Sequence, residues 1–327
     1  MEKPVISILI PLYNEKEVFP VLTGRLNAVM EQNKNYAIEI VLVDDGSTDG
    51  TSDLIRVLAY ADPRYQGVFL SRNFGHQLAL TAGLSCCNAA QAIFIIDGDL
   101  QDPPELLPQF YNKLLEGYDV VYAVRKNRKE NYFKKGTYYL FYRIFNAITK
   151  IKMPLDSGDF SLISRRVANI LCKMPEESRF IRGMRSWVGF SQTGIEYERD
   201  SRTKGKSKYS FRALLRLAYS GIFNFSEFPV KFIKRIGYVA IVVAMGYLFY
   251  NMYAKFIMHA PIPQGYTSLL FILIFFSGLQ FVSIGLLGEY VLRVFFQVKN
   301  RPLFIIKERI ENQEVSEEYS SGMSKNK

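Results

Sequence analysis

Two stretches of this chain, Ile236 to Ala254 and Tyr266 to Gly288, contain no charged residue. As helices they would span roughly 28 and 34 Å, against a bilayer hydrocarbon core of about 30 Å. Both are expected to cross a membrane, since a soluble fold would have to bury two helices that nothing polar interrupts. Lys231, Lys234 and Arg235 precede the first span and Arg293, Lys299 and Arg301 follow the second, while the connector His259 to Gly265 has no Lys or Arg. The positive-inside rule then places the hairpin tip outside and both termini in the cytoplasm. No cleavable signal is expected, because Val5 to Leu12 is short and runs directly into Asn14, Glu15 and Lys16.

That early run reads instead as a buried strand. Apolar runs at Val5 to Ile10, Ile38 to Val43, Gly67 to Leu70, Ala92 to Ile96 and Val120 to Val124 alternate with helix-like stretches such as Asp49 to Ala61. This alternation predicts an α/β domain with a mostly parallel sheet covered on both faces. Three cysteines, Cys86, Cys87 and Cys172, are too few and too badly spaced for a disulfide scaffold. Two histidines, His76 and His259, exclude an HExxH protease and any multi-histidine zinc site. Neither GxGxxG nor GxxxxGK[ST] occurs, which argues against dinucleotide and P-loop binding.

Ligands of open α/β sheets collect beyond the carboxyl ends of the strands. There this sequence is acidic and small: PLYNE (Pro11 to Glu15), DDGSTD (Asp44 to Asp49) and DGDLQDPPE (Asp97 to Glu105). In extended backbone Asp97 and Asp99 point the same way, a hard oxygen pair suited to Mg²⁺ or Mn²⁺ with positions left for phosphate oxygens, and Gln101 is one step further along. Asp44 and Asp45 either belong to this site or form a helix-capping turn.

The net charge of +10 is concentrated. Arg125 to Lys152 holds nine basic residues and one acid, and Arg199 to Arg216 seven and one, so the rest of the chain is slightly acidic. Tyr138, Phe141, Tyr142, Phe145 and Thr149, and again Phe211, Leu214, Leu215, Ala218, Ile222 and Phe225, follow helical spacing. Two amphipathic helices, about 133–149 and 211–226, are expected at a membrane interface. No nucleic-acid-binding signature accompanies the basic surface, and DNA binding would not account for the apolar spans. Gly278, Gly285 and Gly288 offer small faces for packing the hairpin or a homo-oligomer, and Glu289 with Arg293 can pair along one helix or between chains. The tail from Glu311 to Lys327 is polar and is expected to be disordered.

Eight strings in order, PLYNE, VDDGSTDGT, SRNFGHQLAL, DGDLQDPPE, SGDFSLISRR, RFIRGMRSWVGF, RTKGKSKYS and GEYVLRVFFQVKNRPLF, resemble the membrane-bound polyisoprenyl-phosphate glycosyltransferases. These are inverting GT-A enzymes related to dolichol-phosphate mannose synthase and to bactoprenol glucosyltransferases. One departure is Gly98, where alanine is usual in D-A-D.

The resemblance implies a GT-A domain over 1–230 with the interfacial helices, a two-helix transmembrane hairpin over 231–296, and a cytoplasmic C-terminal segment over 297–327. It implies that Pro11, Tyr13, Glu15, Asp44, Asp45 and Asp97 hold the nucleotide, and that Asp97, Asp99 and Gln101 hold Mg²⁺ or Mn²⁺ on its diphosphate. Arg125, Arg202 and Lys208 match cations that contact phosphate, and Asp99, Arg125 and Asp159 are the catalytic candidates. Asp159 either takes a proton or orients a substrate. The implied reaction moves a hexose, glucose from UDP-glucose first, onto undecaprenyl phosphate at the cytoplasmic face of a bacterial inner membrane. Transfer of mannose from GDP-mannose, or of N-acetylglucosamine or an aminoarabinose derivative, and a catalytically silent membrane scaffold are the alternatives.

Overall fold

The computed structural model describes residues 4–126, 157–177, 179–198, 228–257 and 265–316. Arg202, Lys208 and both amphipathic segments lie outside the described residues. The described chain falls into two compact units, one holding 4–198 and 301–316 and the other 228–300.

The first unit opens with β1 (Ile6–Leu12), α1 (Phe19–Gln32), β2 (Ile38–Asp44), α2 (Thr51–Ala61), β3 (Tyr65–Leu70), α3 (His76–Cys86) and β4 (Ala92–Ile95). After a 3₁₀ turn at Pro104–Leu106 come α4 (Leu107–Leu115), β5 (Val120–Lys126), β6 (Ser157–Ser164), α5 (Arg165–Lys173), α6 (Ile181–Trp187) and β7 (Gln192–Glu198). Every residue of β1, β2, β3 and β4 is buried. That accounts for their near-continuous apolar runs, because a strand covered on both faces has no side to leave polar. Ile6, Ile8 and Ile10 share one core with Leu22, Leu26 and Val29 of α1, Ile55 of α2 and Phe110 of α4. On the opposite face α3 packs on β1, β2 and β3, and α5 on β4 and β6.

Strand order is β7-β5-β6-β4-β1-β2-β3-β8-β9, where β8 (Ile306–Glu311) and β9 (Glu314–Ser316) form a C-terminal pair. The β4-β1-β2-β3 centre is parallel, as expected, and so is β5 with β7. The β3–β8, β4–β6, β5–β6 and β8–β9 pairs are antiparallel, so the sheet is mixed rather than mostly parallel. The strands that reverse direction, β6 and β8, lie outside the run of β-α alternation that suggested a parallel sheet. The pair β8 and β9 also corrects the expectation of disorder for the first six residues of the tail, 311–316, where Glu311 pairs with Glu314, Ile310 with Val315 and Arg309 with Ser316, while 317–327 lie outside the described residues. The strand β8 itself is anchored by buried Ile306 and Ile310, and Arg56 of α2 forks onto Glu308 at 2.9–3.2 Å.

The second unit contains two long helices, α7 (Phe228–Phe256) and α8 (Tyr266–Lys299), over the two uncharged stretches. Among the described residues one stretch, Phe275–Lys299, is long and apolar enough to cross a membrane. Glu289 and Arg293 pair along α8 at 3.0 Å.

Candidate active site

At the carboxyl ends of β1 and β2 two turns are knitted together by backbone N–H groups. Asn14 N–H donates to Ser47 Oγ at 3.0 Å, Glu15 N–H to Thr51 Oγ1 at 3.1 Å and Thr48 N–H to Asn14 Oδ1 at 2.8 Å. Pro11 is the sixth residue of β1, and Tyr13 just beyond it is 38% exposed, presenting a ring at the mouth of this turn. Asp44 and Asp45 are buried, and their oxygens face inward to the chain. Asp44 accepts from Ser47 N–H and Ser52 Oγ, and Asp45 from the N–H groups of Phe74 and Gly75 at 2.7 and 3.0 Å. Burial raises the pKa of Asp45 in spite of those two donors. Asp45 thereby ties the β2 turn to the loop that opens α3. The same approach explains Gly46, at φ +71°, where a Cβ would lie 2.6 Å from the Arg72 and Asn73 backbone.

Beyond β4 the backbone does not stay extended. The strand stops at Ile95, Gly98 and Asp99 form a turn, Leu100 takes φ +61°, and Asp99 Oδ1 accepts from Gln101 N–H at 3.2 Å. The expectation that Asp97 and Asp99 align as alternate residues of a strand is therefore corrected: a turn sets their directions. Gly98 is closely packed: a Cβ there would meet Leu12 Cδ2 at 2.4 Å, so the Leu12 side chain would have to shift to admit one.

Antiparallel pairing of β4 with β6 puts Ile95 opposite Ser161. Two residues further out on each strand, Asp97 and Asp159 come to the same end of the sheet. His76, the first residue of α3, lies between them, with Nε2 3.5 Å from Asp97 Oδ1 and 3.5 Å from Asp159 Oδ2. Burial opposes a charge on His76, yet the two carboxylates outweigh it and lift the pKa to about 9. Asp159 is 8% exposed in its side chain. Burial would raise its pKa, but Arg182, 3.6 Å away, and His76 hold it well below the usual carboxylate range. A cavity of about 310 Å³ adjoins this group, walled by Phe74, His76, Asp159, Arg179, Phe180 and Arg182. Behind it Arg185 is fully buried, donating from Nη2 to the Gly158 carbonyl at 3.2 Å, while desolvation draws its pKa down to about 10.

Arg125, near the end of β5, stands opposite Tyr197 of β7, whose hydroxyl donates to Asp102 at 2.7 Å. Burial opposes the Arg125 charge, and Tyr197 and Asp102 sustain it.

The structure thus brings Asp97 and Asp159 together and joins Tyr13 to Glu15 with the Asp44–Asp49 turn. Arg125 joins Tyr197 and Asp102 on one side, and its guanidinium also lies beside Gly158, next to Asp159, within reach of the Arg182 charge. Reading the sequence for site residues passed over His76, Gln77 and Arg182. His76 carried one signal, its place six residues beyond the carboxyl end of β3.

No group of three His, Cys, Asp or Glu among the described residues forms a metal cage by itself. Mg²⁺ and Mn²⁺ are commonly held by one or two carboxylates plus substrate phosphates. Asp97 and Asp99 are half-buried in one turn with Gln101 two residues on, and two carboxylates with an amide oxygen are the hard donor chemistry that suits such an ion.

The family model described as "Glycosyl transferase family 2" matches residues 7–171, which run from β1 through β6 and include His76, Asp97 and Asp159 but not Arg182. An uncharacterized glycosyltransferase of Bacillus subtilis, YkcC, is 42% identical over 92% of this chain and 93% of its own. The chain belongs to glycosyl transferase family 2. This glycosyltransferase is also 38% identical, over 92% of its length, to a prophage-derived bactoprenol glucosyl transferase of Shigella flexneri, covering 97% of that protein. An Escherichia coli K12 prophage bactoprenol glucosyl transferase homolog is 39% identical over 92% of this chain and 98% of its own. The mixed α/β sheet is the GT-A-like domain expected of such an enzyme. A mannosyl-3-phosphoglycerate synthase of Rubrobacter xylanophilus, 18% identical over 72% of this chain and 75% of its own, superposes with a TM-score of 0.46, too low to carry site residues across.

Proposed function

We propose that this glycosyltransferase moves glucose from UDP-glucose onto undecaprenyl phosphate, with inversion, at the cytoplasmic face of a bacterial inner membrane. The observation that carries the reading is the meeting of Asp97 and Asp159 around His76 beside an open cavity, in a chain whose relatives include bactoprenol glucosyl transferases.

In this reading Pro11, Tyr13 and Glu15 hold the nucleoside, and Asp44 and Asp45 hold the turns that shape its pocket. Asp97, Asp99 and Gln101 hold Mg²⁺ or Mn²⁺ on the diphosphate. A bound divalent ion would neutralise the charge that builds on the departing UDP, more in the transition state than before it. Arg125, Arg202 and Lys208 add cationic contacts to phosphate.

Asp159 orients the acceptor side rather than taking a proton. Its depressed pKa makes it a weak base, and a lipid monophosphate, with a second pKa near 6, is already largely a dianion at neutral pH. Arg182 and His76 face that dianion from the cavity wall and would hold its oxygen in line with the anomeric carbon.

The apolar stretches of α7 and α8 would form a two-span hairpin, with both termini cytoplasmic and Gly278, Gly285 and Gly288 available for self-association. Detergent-purified protein incubated with Mg²⁺ or Mn²⁺, undecaprenyl phosphate and a panel of nucleotide sugars is expected to make lipid-linked glucose from UDP-glucose. Asp99→Asn is expected to lower the rate about 10²-fold or more. Product from GDP-mannose alone would replace the donor, and no turnover with any sugar would favour the scaffold.

A further inference from the structure

Gln77, the second residue of α3, uses both ends of its side-chain amide. Nε2 donates to Asp159 Oδ2 at 2.9 Å, and Oε1 accepts from the backbone N–H of Ile181 at 2.8 Å. The amide cannot be reversed, because its oxygen would then face a carboxylate and its NH₂ an N–H. Ile181 is buried and opens α6, the helix that carries Arg182 and Arg185. A single side chain therefore joins three elements: α3, β6 at Asp159, and the start of the arginine-bearing helix. With Oδ2 taken by Gln77 and His76, the Oδ1 oxygen of Asp159 is left toward Arg182.

We infer that Gln77 is a positioning residue for glycosyl transfer, holding the Asp159 carboxylate and Arg182 in one fixed relation across the acceptor cavity. It acts through Asp159 and touches no reacting atom in this scheme. The inference rests on the reading of Asp159 as the acceptor-side carboxylate. Errors of about 1 Å in such a frame cost on the order of 10²-fold in rate, so a clamp that leaves substrate contacts untouched affects kcat before KM.

Two substitutions separate this role from a merely structural one. Gln77→Met removes both hydrogen bonds. Gln77→Glu keeps an oxygen for Ile181 N–H but sets a carboxylate against Asp159 until it is protonated. That new carboxyl would face Asp159 from β6, Arg182 from α6 and His76 from its own helix. With Mg²⁺, UDP-glucose and undecaprenyl phosphate in detergent, Gln77→Met is expected to lower kcat at least about tenfold, with KM for UDP-glucose within about twofold of wild type. Gln77→Glu is expected to show a similar loss at pH 8 that narrows toward pH 6, where the shared proton restores the donor.

A kcat for Gln77→Met within about twofold of wild type overturns the inference. So does a Gln77→Glu loss that ignores pH. An experimental structure of Gln77→Met gives an answer free of substrate choice: the Asp159 carboxylate is expected to turn away from Arg182, and an unmoved carboxylate refutes the clamp. Failure of the wild-type protein to make lipid-linked glucose would refute the glucosyl reading instead, and that structure would still decide Gln77.

Discussion

An ionised carboxylate at Asp159 is sustained by the cations around it. Burial alone would protonate it, and Arg182, His76 and Arg185 together reverse that tendency, while the Gln77 amide donates to one of its oxygens. The arrangement has a consequence for stability that His76 reports. Its folded pKa of about 9 lies above the 6.5 of a free imidazole, so the protonated form is favoured by folding. The stabilisation is complete below about pH 6.5 and is lost as pH rises through about 9. In chelator-treated protein the melting temperature is expected to fall between those values, and His76→Gln is expected to flatten the decline; parallel curves would refute the coupling. None of this was legible in the string SRNFGHQLAL. A lone histidine discloses no partners until the chain reversal at β6 brings Asp159 beside Asp97. The acidic turns were legible because each directly follows a buried strand whose apolar run marks it.

Two elements show where pattern reading succeeds and where it stops. The DGD turn was read from its carboxylates, but its backbone was read as strand, because Leu100 at positive φ has no signature in residue type. Gly98 is explained by its neighbour instead. Gly98→Ala is expected to cost about 1–3 kcal/mol through the collision with Leu12 Cδ2, and Leu12→Val in the same chain is expected to return part of it by removing that atom. Denaturant titration of both single variants and the double variant measures the coupling, and strict additivity would exclude the contact.

The strand β8 was missed for a different reason: IKERIE is short, two-thirds charged and follows an apolar helix. It is nevertheless built into the sheet. Ile310 belongs to the main core, Arg56 grips Glu308, and the Ser71 N–H at the start of the His76 loop donates to the Ile305 carbonyl at 3.0 Å. Ile310→Ala is expected to destabilise the catalytic unit by about 2–5 kcal/mol, although it lies far outside the stretch that matches the family. A change under about 0.5 kcal/mol in the same titration would show that β8 only decorates the edge.

At the scale of the whole chain, the charge distribution bears on the proposed lipid substrate. An enzyme that takes a water-soluble nucleotide sugar and a lipid phosphate needs its pocket on the side where that nucleotide is made, close to the headgroups. Basic residues flank the apolar stretches at both outer ends, and the connector between them carries none, the pattern by which the positive-inside rule would bring both chain ends of the proposed hairpin to one membrane face. The catalytic unit includes residues from before and after the apolar helices, with β8 beginning seven residues beyond Lys299. A single crossing would leave β3 and β8 on opposite sides of the bilayer, where they could not pair. If the apolar helices cross a bilayer, pairing of β3 with β8 within one chain requires an even number of crossings, as the proposed hairpin has. In spheroplasts of a bacterial host, Gln264→Cys is expected to react with a membrane-impermeant maleimide. Val21→Cys, at an exposed position on α1, is expected to react only after the membrane is opened. Labelling of Val21→Cys in sealed spheroplasts would place the sheet outside, away from cytoplasmic nucleotide sugars, and would defeat the proposed reaction together with the topology.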